Sequence, residues 1–296
     1  MKRLSEAQRA AFGEQGYLAP LDTLSADEAR DCERRLVSLL GPRREATSGL
    51  RNKPHLLLRW VADLVLDARV LDAVEDLLGP DLLVLRSVFF VKPPGDRSYL
   101  AWHQDVAYWD LSAGDRVVSA WIALTDSTVG NGCVRVVPGS HREPLLEHRL
   151  GHDANNRLVH GQAAAVEVPP ERIACLELRA GQMSLHDGRM LHGSLGNPSN
   201  QLRAGLAVRF IPPDVRQRGL RASATLVRGV DRFGYYDHEP LPRFDDDPVA
   251  RAWHARSLRR YAVQVVWQAL RHPSARQVSL IARMAARRDA LRAMLR

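Results

Sequence analysis

Two histidines and an aspartate, His103, Asp105 and His192, have the residue types to hold a divalent metal, and Arg203 has the type to hold an anion beside it. Two imidazoles and one carboxylate are the donor set of the facial triad, which binds a non-haem Fe(II) and leaves positions open for co-substrate and O2. The spacing of His103-Gln104-Asp105 has a mechanical basis, because residues two apart on an extended chain point to one face. Both donors therefore reach one ion from a strand or strand end, while Gln104 turns away. The third donor comes from elsewhere in the fold, and Arg203 follows it by eleven residues. A guanidinium is a permanently charged planar fork that matches a carboxylate. The set reads as iron with a dicarboxylic keto acid.

The elements that must position these groups are mostly strands. His192 and Arg203 fit two strands joined by the turn residues Gly196-Asn197-Pro198-Ser199-Asn200. Further strand patterns cover Leu82–Val91, with a lone Arg86, then Val117–Leu124, Cys133–Val137, Leu176–Leu178, Gln182–Leu185 and Gly205–Ile211. Asn131-Gly132 is a turn between the second and third of these. Short, regularly spaced strands with Gly and Pro turns predict a mainly β fold with flanking helices, a jelly roll of the cupin type or double-stranded β-helix. Capping boxes at Ser5–Gln8 and Ser25–Glu28 start two N-terminal helices, ending at Gly16 and Gly41-Pro42, and a third helix runs near Val70–Leu78. Two regions break the strand pattern, Arg142–Ala165, rich in His and Asn, and Pro212–Asp247. Both read as long loops, either lids over a substrate or solvated surface.

The residues resemble the phytanoyl-CoA dioxygenase family of Fe(II)/2-oxoglutarate oxygenases, from about Leu4 to about Ile211. The resemblance rests on three blocks: Ala101-Trp102-His103-Gln104-Asp105; Val118–Leu124 with Asn131-Gly132-Cys133 and Pro138-Gly139-Ser140-His141; and Leu191-His192-Gly193-Ser194 ending at Arg203. It implies that His103, Asp105 and His192 are the catalytic iron ligands. It also implies that Arg203 clamps the distal carboxylate of 2-oxoglutarate with Ser194, and that Trp121 lines the co-substrate pocket. Members that halogenate lack the metal carboxylate, so Asp105 points to hydroxylation, with release of succinate and CO2. Family substrates range over acyl-CoA thioesters, amino acids, osmolytes, phosphonates and natural-product intermediates. Two alternatives stand beside this reading. One is a cupin-type isomerase or hydrolase using Zn or Mn without 2-oxoglutarate; the other is a non-catalytic binding protein on the same fold.

Composition agrees with a globular enzyme. A chain of 296 residues with 45% hydrophobic content supports one sizeable core. No apolar run or charged-then-apolar leader predicts a membrane span or secretory signal. Cys32, Cys133 and Cys175, odd in number and widely spaced, suggest reduced thiols in a cytoplasm. Three of the 42 basic residues are lysines, a bias typical of a GC-rich bacterial gene. The net charge of +8 is unevenly spread. Residues 251–296 hold eleven arginines against one acid, Asp289, whereas the other 250 residues carry 31 basic and 33 acidic groups. The expected organisation is an oxygenase domain over 1–250 and a basic helical appendage over 251–296, packed on the same domain or on a partner subunit as a homodimer. No nucleic-acid partner is expected, because the catalytic part is near neutral.

In that appendage Asp247-Pro248 starts a helix, Leu258, Tyr261, Ala262, Val265, Val266 and Ala269 form an apolar stripe, and a second helix begins near Ser274. Among the remaining residues, Arg86 is the candidate for an anion inside the pocket, either a substrate group or the proximal end of 2-oxoglutarate. His186 shares a face with His192 on alternating geometry. His141 reads as structural, and Arg51 and Lys53 read as solvent-exposed.

Overall fold

In the computed structural model the described residues are 2–40, 48–149, 151, 153–158 and 163–271. The N-terminal region is helical around one strand: α1 (Glu6–Gln15), β1 (Tyr17–Asp22), α2 (Ala26–Leu39), α3 (Ser48–Arg51), α4 (Arg59–Leu66) and α5 (Ala68–Leu78). Ser5 and Ser25 cap α1 and α2 through reciprocal bonds with Gln8 and Glu28. Gly16 closes α1 in the left-handed conformation, at φ 79°. The strands follow as β2 (Leu82–Lys92), β3 (Leu100–His103), β4 (Val118–Ala123), β5 (Val134–Val136), β6 (His148–Arg149), β7 (Ala163–Ala164), β8 (Ala174–Leu176), β9 (Gln182–Asp187), β10 (His192–Ser194), β11 (Arg203–Ile211), β12 (Ser223–Arg228) and β13 (Asp237–His238). The last described element is α6 (Pro248–Arg271).

A seven-stranded sheet runs β1-β9-β4-β11-β2-β12-β13, and a four-stranded sheet runs β3-β10-β5-β8. The two form the double-stranded β-helix. Strand parity assigns each residue of the larger sheet to one side. Ala204, Leu206, Val208 and Phe210 of β11 join Val118, Ala120 and Ile122 of β4 in a core that also holds Leu36, Val61, Val65, Val70 and Val74 from the helices. The alternate residues Arg203, Ala207 and Arg209, with Trp121 of β4, face the smaller sheet. Both faces are buried, so these strands read as near-continuous apolar runs.

The structure adds to or corrects the sequence reading at several points. The turn at Asn131-Gly132 is present, with Gly132 in the left-handed conformation, but it crosses between sheets: β4 pairs with β9 and β11, and β5 pairs with β10 and β8. Pro212–Asp247 is not a loop throughout, since β12 adds to the larger sheet beside β2. It reads as polar because Ser223 and Thr225 face Glu239, which accepts from both hydroxyls. The segment 142–165 contributes the short pair β6–β7. The described packed face of α6 is mixed: His254, Ser257 and Gln264 are buried, Leu258 and Tyr261 of the apolar stripe are half-buried, and Ala262 is exposed. The orientation is set by hydrogen bonds: His254 Nε2 donates to the Asn52 carbonyl, and Gln264 bonds Leu220 N and the Arg218 carbonyl. The second helix expected from Ser274 lies outside the described residues.

No helix among the described residues is long and apolar enough to cross a membrane.

Candidate metal centre and adjoining pockets

His103 ends β3 and His192 begins β10, and the two are register partners across that antiparallel pair. Directly opposed residues bring their side chains together, and the two imidazole centroids lie 4.0 Å apart. Asp105 opens the 3₁₀ turn that follows β3. Its Oδ1 sits 3.6 Å from His103 Nε2 and 3.9 Å from His192 Nε2. One ligand atom from each of the three lies within 4.8 Å of the others, and all three side chains are buried.

The ring orientations are fixed from behind. His103 Nδ1 donates to the Ala101 carbonyl and His192 Nδ1 to the Met190 carbonyl, each at 2.9 Å. A carbonyl only accepts, so each Nδ1 carries the proton and each Nε2 offers its lone pair to the shared space. Burial and the neighbouring His103 hold the His192 pKa well below its ordinary value, which keeps that imidazole neutral. Burial acts to raise the Asp105 pKa, but the Arg209 guanidinium and the two histidines outweigh it, and the carboxyl stays well below its usual range. Two imidazoles and one carboxylate fit an iron site.

Behind these donors a second cavity is lined by Trp121, His186, Ser194 and Arg203. Arg203 is 1% exposed, and neither Nη atom has a hydrogen-bond partner among the described residues. Its guanidinium lies over the Trp121 ring, 4.5 Å from the centroid. Gly205, two residues along the same face, makes this possible, because a Cβ there would collide with the indole. Burial pushes the Arg203 pKa down to about 10. An unpaired buried cation is expensive, so this cavity is built for an anion. Ser194 Oγ accepts from Lys92 Nζ at 2.9 Å, which adds a second cation to the same end.

Arg86 lies elsewhere. It lines a larger cavity of about 270 Å³ on the open side of His103 and Asp105, together with Arg51, Arg157, Arg209 and Tyr261. The expectation that Arg51 and Lys53 are solvent-exposed is corrected. Arg51 faces this cavity, and Lys53 is 7% exposed, with Nζ 2.5 Å from Glu239 Oε1. His141 bonds the Gly13 carbonyl through Nε2, away from the metal donors. His186 is 2% exposed, its ring centroid 4.7 Å from that of His192, and both its nitrogens lack partners among the described residues. Sequence reasoning missed Arg209. The signal was available, because Arg209 follows Arg203 by six residues on one strand and so shares its face.

The family model described as phytanoyl-CoA dioxygenase (PhyH) matches residues 12–205. The ectoine dioxygenase of Halomonas elongata is 30% identical over 229 residues, covering 68% of each chain. A probable alpha-ketoglutarate-dependent hypophosphite dioxygenase of Stutzerimonas stutzeri is 27% identical over 175 residues, covering 57% of this chain and 60% of its own. The solved structure of a non-heme monooxygenase, ThoJ, superposes with a TM-score of 0.79 at 30% identity, covering 89% of this chain and 99% of that one. Alignments to curated relatives span from 43% to 71% of those proteins' lengths.

Proposed function

The chain belongs to the phytanoyl-CoA dioxygenase family, and from that membership we propose that it is an Fe(II)- and 2-oxoglutarate-dependent dioxygenase that hydroxylates an unactivated C–H of a small polar or anionic molecule. The overall reaction is substrate, O2 and 2-oxoglutarate to alcohol, succinate and CO2. One oxygen atom enters the substrate and the other enters succinate. The observation that carries the reading is the pairing of two features. His103, Asp105 and His192 turn their donors into one space, and the Arg203 guanidinium, whose two Nη atoms have no partner among the described residues, closes the cavity behind it.

When bound, iron and 2-oxoglutarate supply the oxidising power, and the protein supplies geometry. His103 and His192 present fixed Nε2 lone pairs, and Asp105 presents Oδ1. Arg203 and Ser194 hold the distal carboxylate of the co-substrate, with Trp121 as the floor beneath the guanidinium. A hydrolase or isomerase would leave Arg203 without a role. The substrate reading is supported by the cationic lining of the larger cavity and by the small anion in the name of the Stutzerimonas relative.

We also assign the protein to the cytoplasm, on the strength of three free cysteines. The basic C-terminal region is assigned a partner-facing role, in a homodimer, because α6 leaves Ala262 and Val263 exposed. The test of the central reading is succinate release by the purified chain with 2-oxoglutarate and Fe(II). Turnover is expected with Fe(II) and not with Zn(II) or Mn(II). A protein that binds iron yet never consumes 2-oxoglutarate, with or without candidate substrates, would sink it.

A further inference from the structure

The larger cavity holds a charge imbalance. Four guanidiniums line it against one carboxylate, Asp105. Two of the four are accounted for, because Arg209 pairs with Asp105 and Arg157 lies 3.1 Å from Asp96. Arg51 and Arg86 have no ion-pair partner among the described residues. The Arg51 guanidinium lies over the Phe90 ring, 5.6 Å from its centroid. Arg86 donates through Nη2 to Asn52 Oδ1 at 2.5 Å and rests on the Tyr261 ring, 4.1 Å from its centroid. Burial, aggravated by Arg157, Arg86 and Arg209, pushes the Arg51 pKa down to about 10.

The backbone forces the conflict. Arg86 and Arg209 are register partners on β2 and β11, and like charges directly opposite each other are destabilising. Phe90 and Tyr261 cover guanidinium faces, which leaves N–H edges free to bond an oxyanion. The rest of the wall includes Val88, Leu100, Trp109 and Leu158, so the room beyond the cations suits a short apolar body. His103 and Asp105 line the same cavity, which sets that body against the metal donors.

Resting on the oxygenase reading above, we propose that Arg51 and Arg86 clamp a phosphoryl-type dianion on the substrate, a phosphonate or phosphate monoester head on a short carbon chain. Tyr261, carried on α6, fixes the fork of Arg86 for it. Two uncompensated cations match a dianion. A carboxylate or sulfonate leaves one of them unpaired. Tyr261 is then a positioning residue, and α6 is part of the specificity apparatus.

The experiment is anaerobic calorimetry on the full chain loaded with Fe(II) and saturated with 2-oxoglutarate, titrated with ethylphosphonate, ethyl phosphate, ethanesulfonate and propanoate. The first two are expected to bind at least tenfold tighter than the last two, and the tighter of them identifies the linkage. At a pH above the second ionisation of the phosphonate, ethanesulfonate has the same tetrahedral shape with one charge less, so equal binding of sulfonate and phosphonate there overturns the proposal. Arg51→Gln and Arg86→Gln should each weaken ethylphosphonate at least tenfold more than they weaken 2-oxoglutarate. The reverse order would assign these arginines to the co-substrate. Tyr261→Ala should weaken ethylphosphonate, and Tyr261→Phe should restore it, because the ring and not the hydroxyl meets Arg86. The discrimination among the four anions is measured on the unaltered protein, so a variant that misfolds does not remove the test. Failure of the oxygenase reading shows separately, as absence of 2-oxoglutarate binding and of succinate.

Discussion

Arg209 and Asp105 form a buried ion pair, Nε to Oδ2 at 3.0 Å, at the carboxylate proposed to bind the metal. Ser119 Oγ donates to the same Oδ2 at 3.2 Å. Oδ2 is thus anchored in the larger sheet, while Oδ1, which accepts a longer bond from Arg209 Nη2 at 3.5 Å, faces the two imidazoles. Groups that orient a metal ligand typically matter by about 10- to 100-fold in metal affinity. Arg209→Met should raise the dissociation constant for Fe(II) by about that factor, read by competition with a chelator. An unchanged constant would mean that Asp105 needs no anchor.

The donors themselves are expected to be all-or-none. His103→Ala, His192→Ala and Asp105→Ala should each lose iron and 2-oxoglutarate turnover, because three protein atoms hold the ion. Full activity in any one of them, measured at matched protein and iron concentrations, would show that the triad is misassigned.

Arg203→Ala should spare iron content and raise the KM for 2-oxoglutarate more than tenfold. Leaving a buried carboxylate without its bidentate partner costs about 2–5 kcal/mol. Arg203→Lys should recover part of this, since a point charge does not reproduce the fork. Steady-state kinetics at saturating iron decide it, and an unaltered KM in the alanine variant removes the clamp.

Lys92 gives a pH signature. Burial, with help from Arg203, pushes its pKa down to about 7 from 10.5. A carboxylate arriving between Arg203 and Ser194 favours the ammonium form. Co-substrate affinity is therefore expected to be fullest below pH 7 and to decline as pH rises through that value. At pH 8 binding should take up a proton. Calorimetry in two buffers of different ionisation heat measures the uptake, and Lys92→Met should abolish it. Binding without uptake in the unaltered protein would disconnect Lys92 from the co-substrate.

The tail is expected to be divisible. A chain ending at His272 keeps every described contact of α6, so substrate-free 2-oxoglutarate consumption should survive while oligomeric state, read by light scattering, is free to change. A folded, iron-loaded chain of that length without turnover would place residues 273–296 in the active site. Ending the chain at Asp247 instead removes Tyr261 and the bonds of His254 and Gln264, and should lower thermal stability.

What the sequence made legible was short in range. His103 and Asp105 are two residues apart, Ser5 with Gln8 and Ser25 with Glu28 close single helical turns, and the apolar runs of β2, β4 and β11 mark strands buried on both faces. What it concealed depends on pairing across long separations. Nothing local to Arg86 says that Arg209 lies opposite it, and nothing local to Arg51 says that a cavity lies beside it. The strand β12 hid because its inward residues are Ser223 and Thr225, which answer to a buried Glu239 rather than to an apolar core. The helix α6 hid part of its packed face for the same reason, since His254, Ser257 and Gln264 on it are polar.

The parity of β11 has a corollary. Arg203, Gly205, Ala207 and Arg209 face the chemistry, while Ala204, Leu206, Val208 and Phe210 face the helices. Two demands, one from the ligands and one from the core, therefore fall on interleaved residues of a single strand without competing for a position. A substitution on the ligand-facing side can change the chemistry while the other side, and with it the packing of the helices, stays as it is.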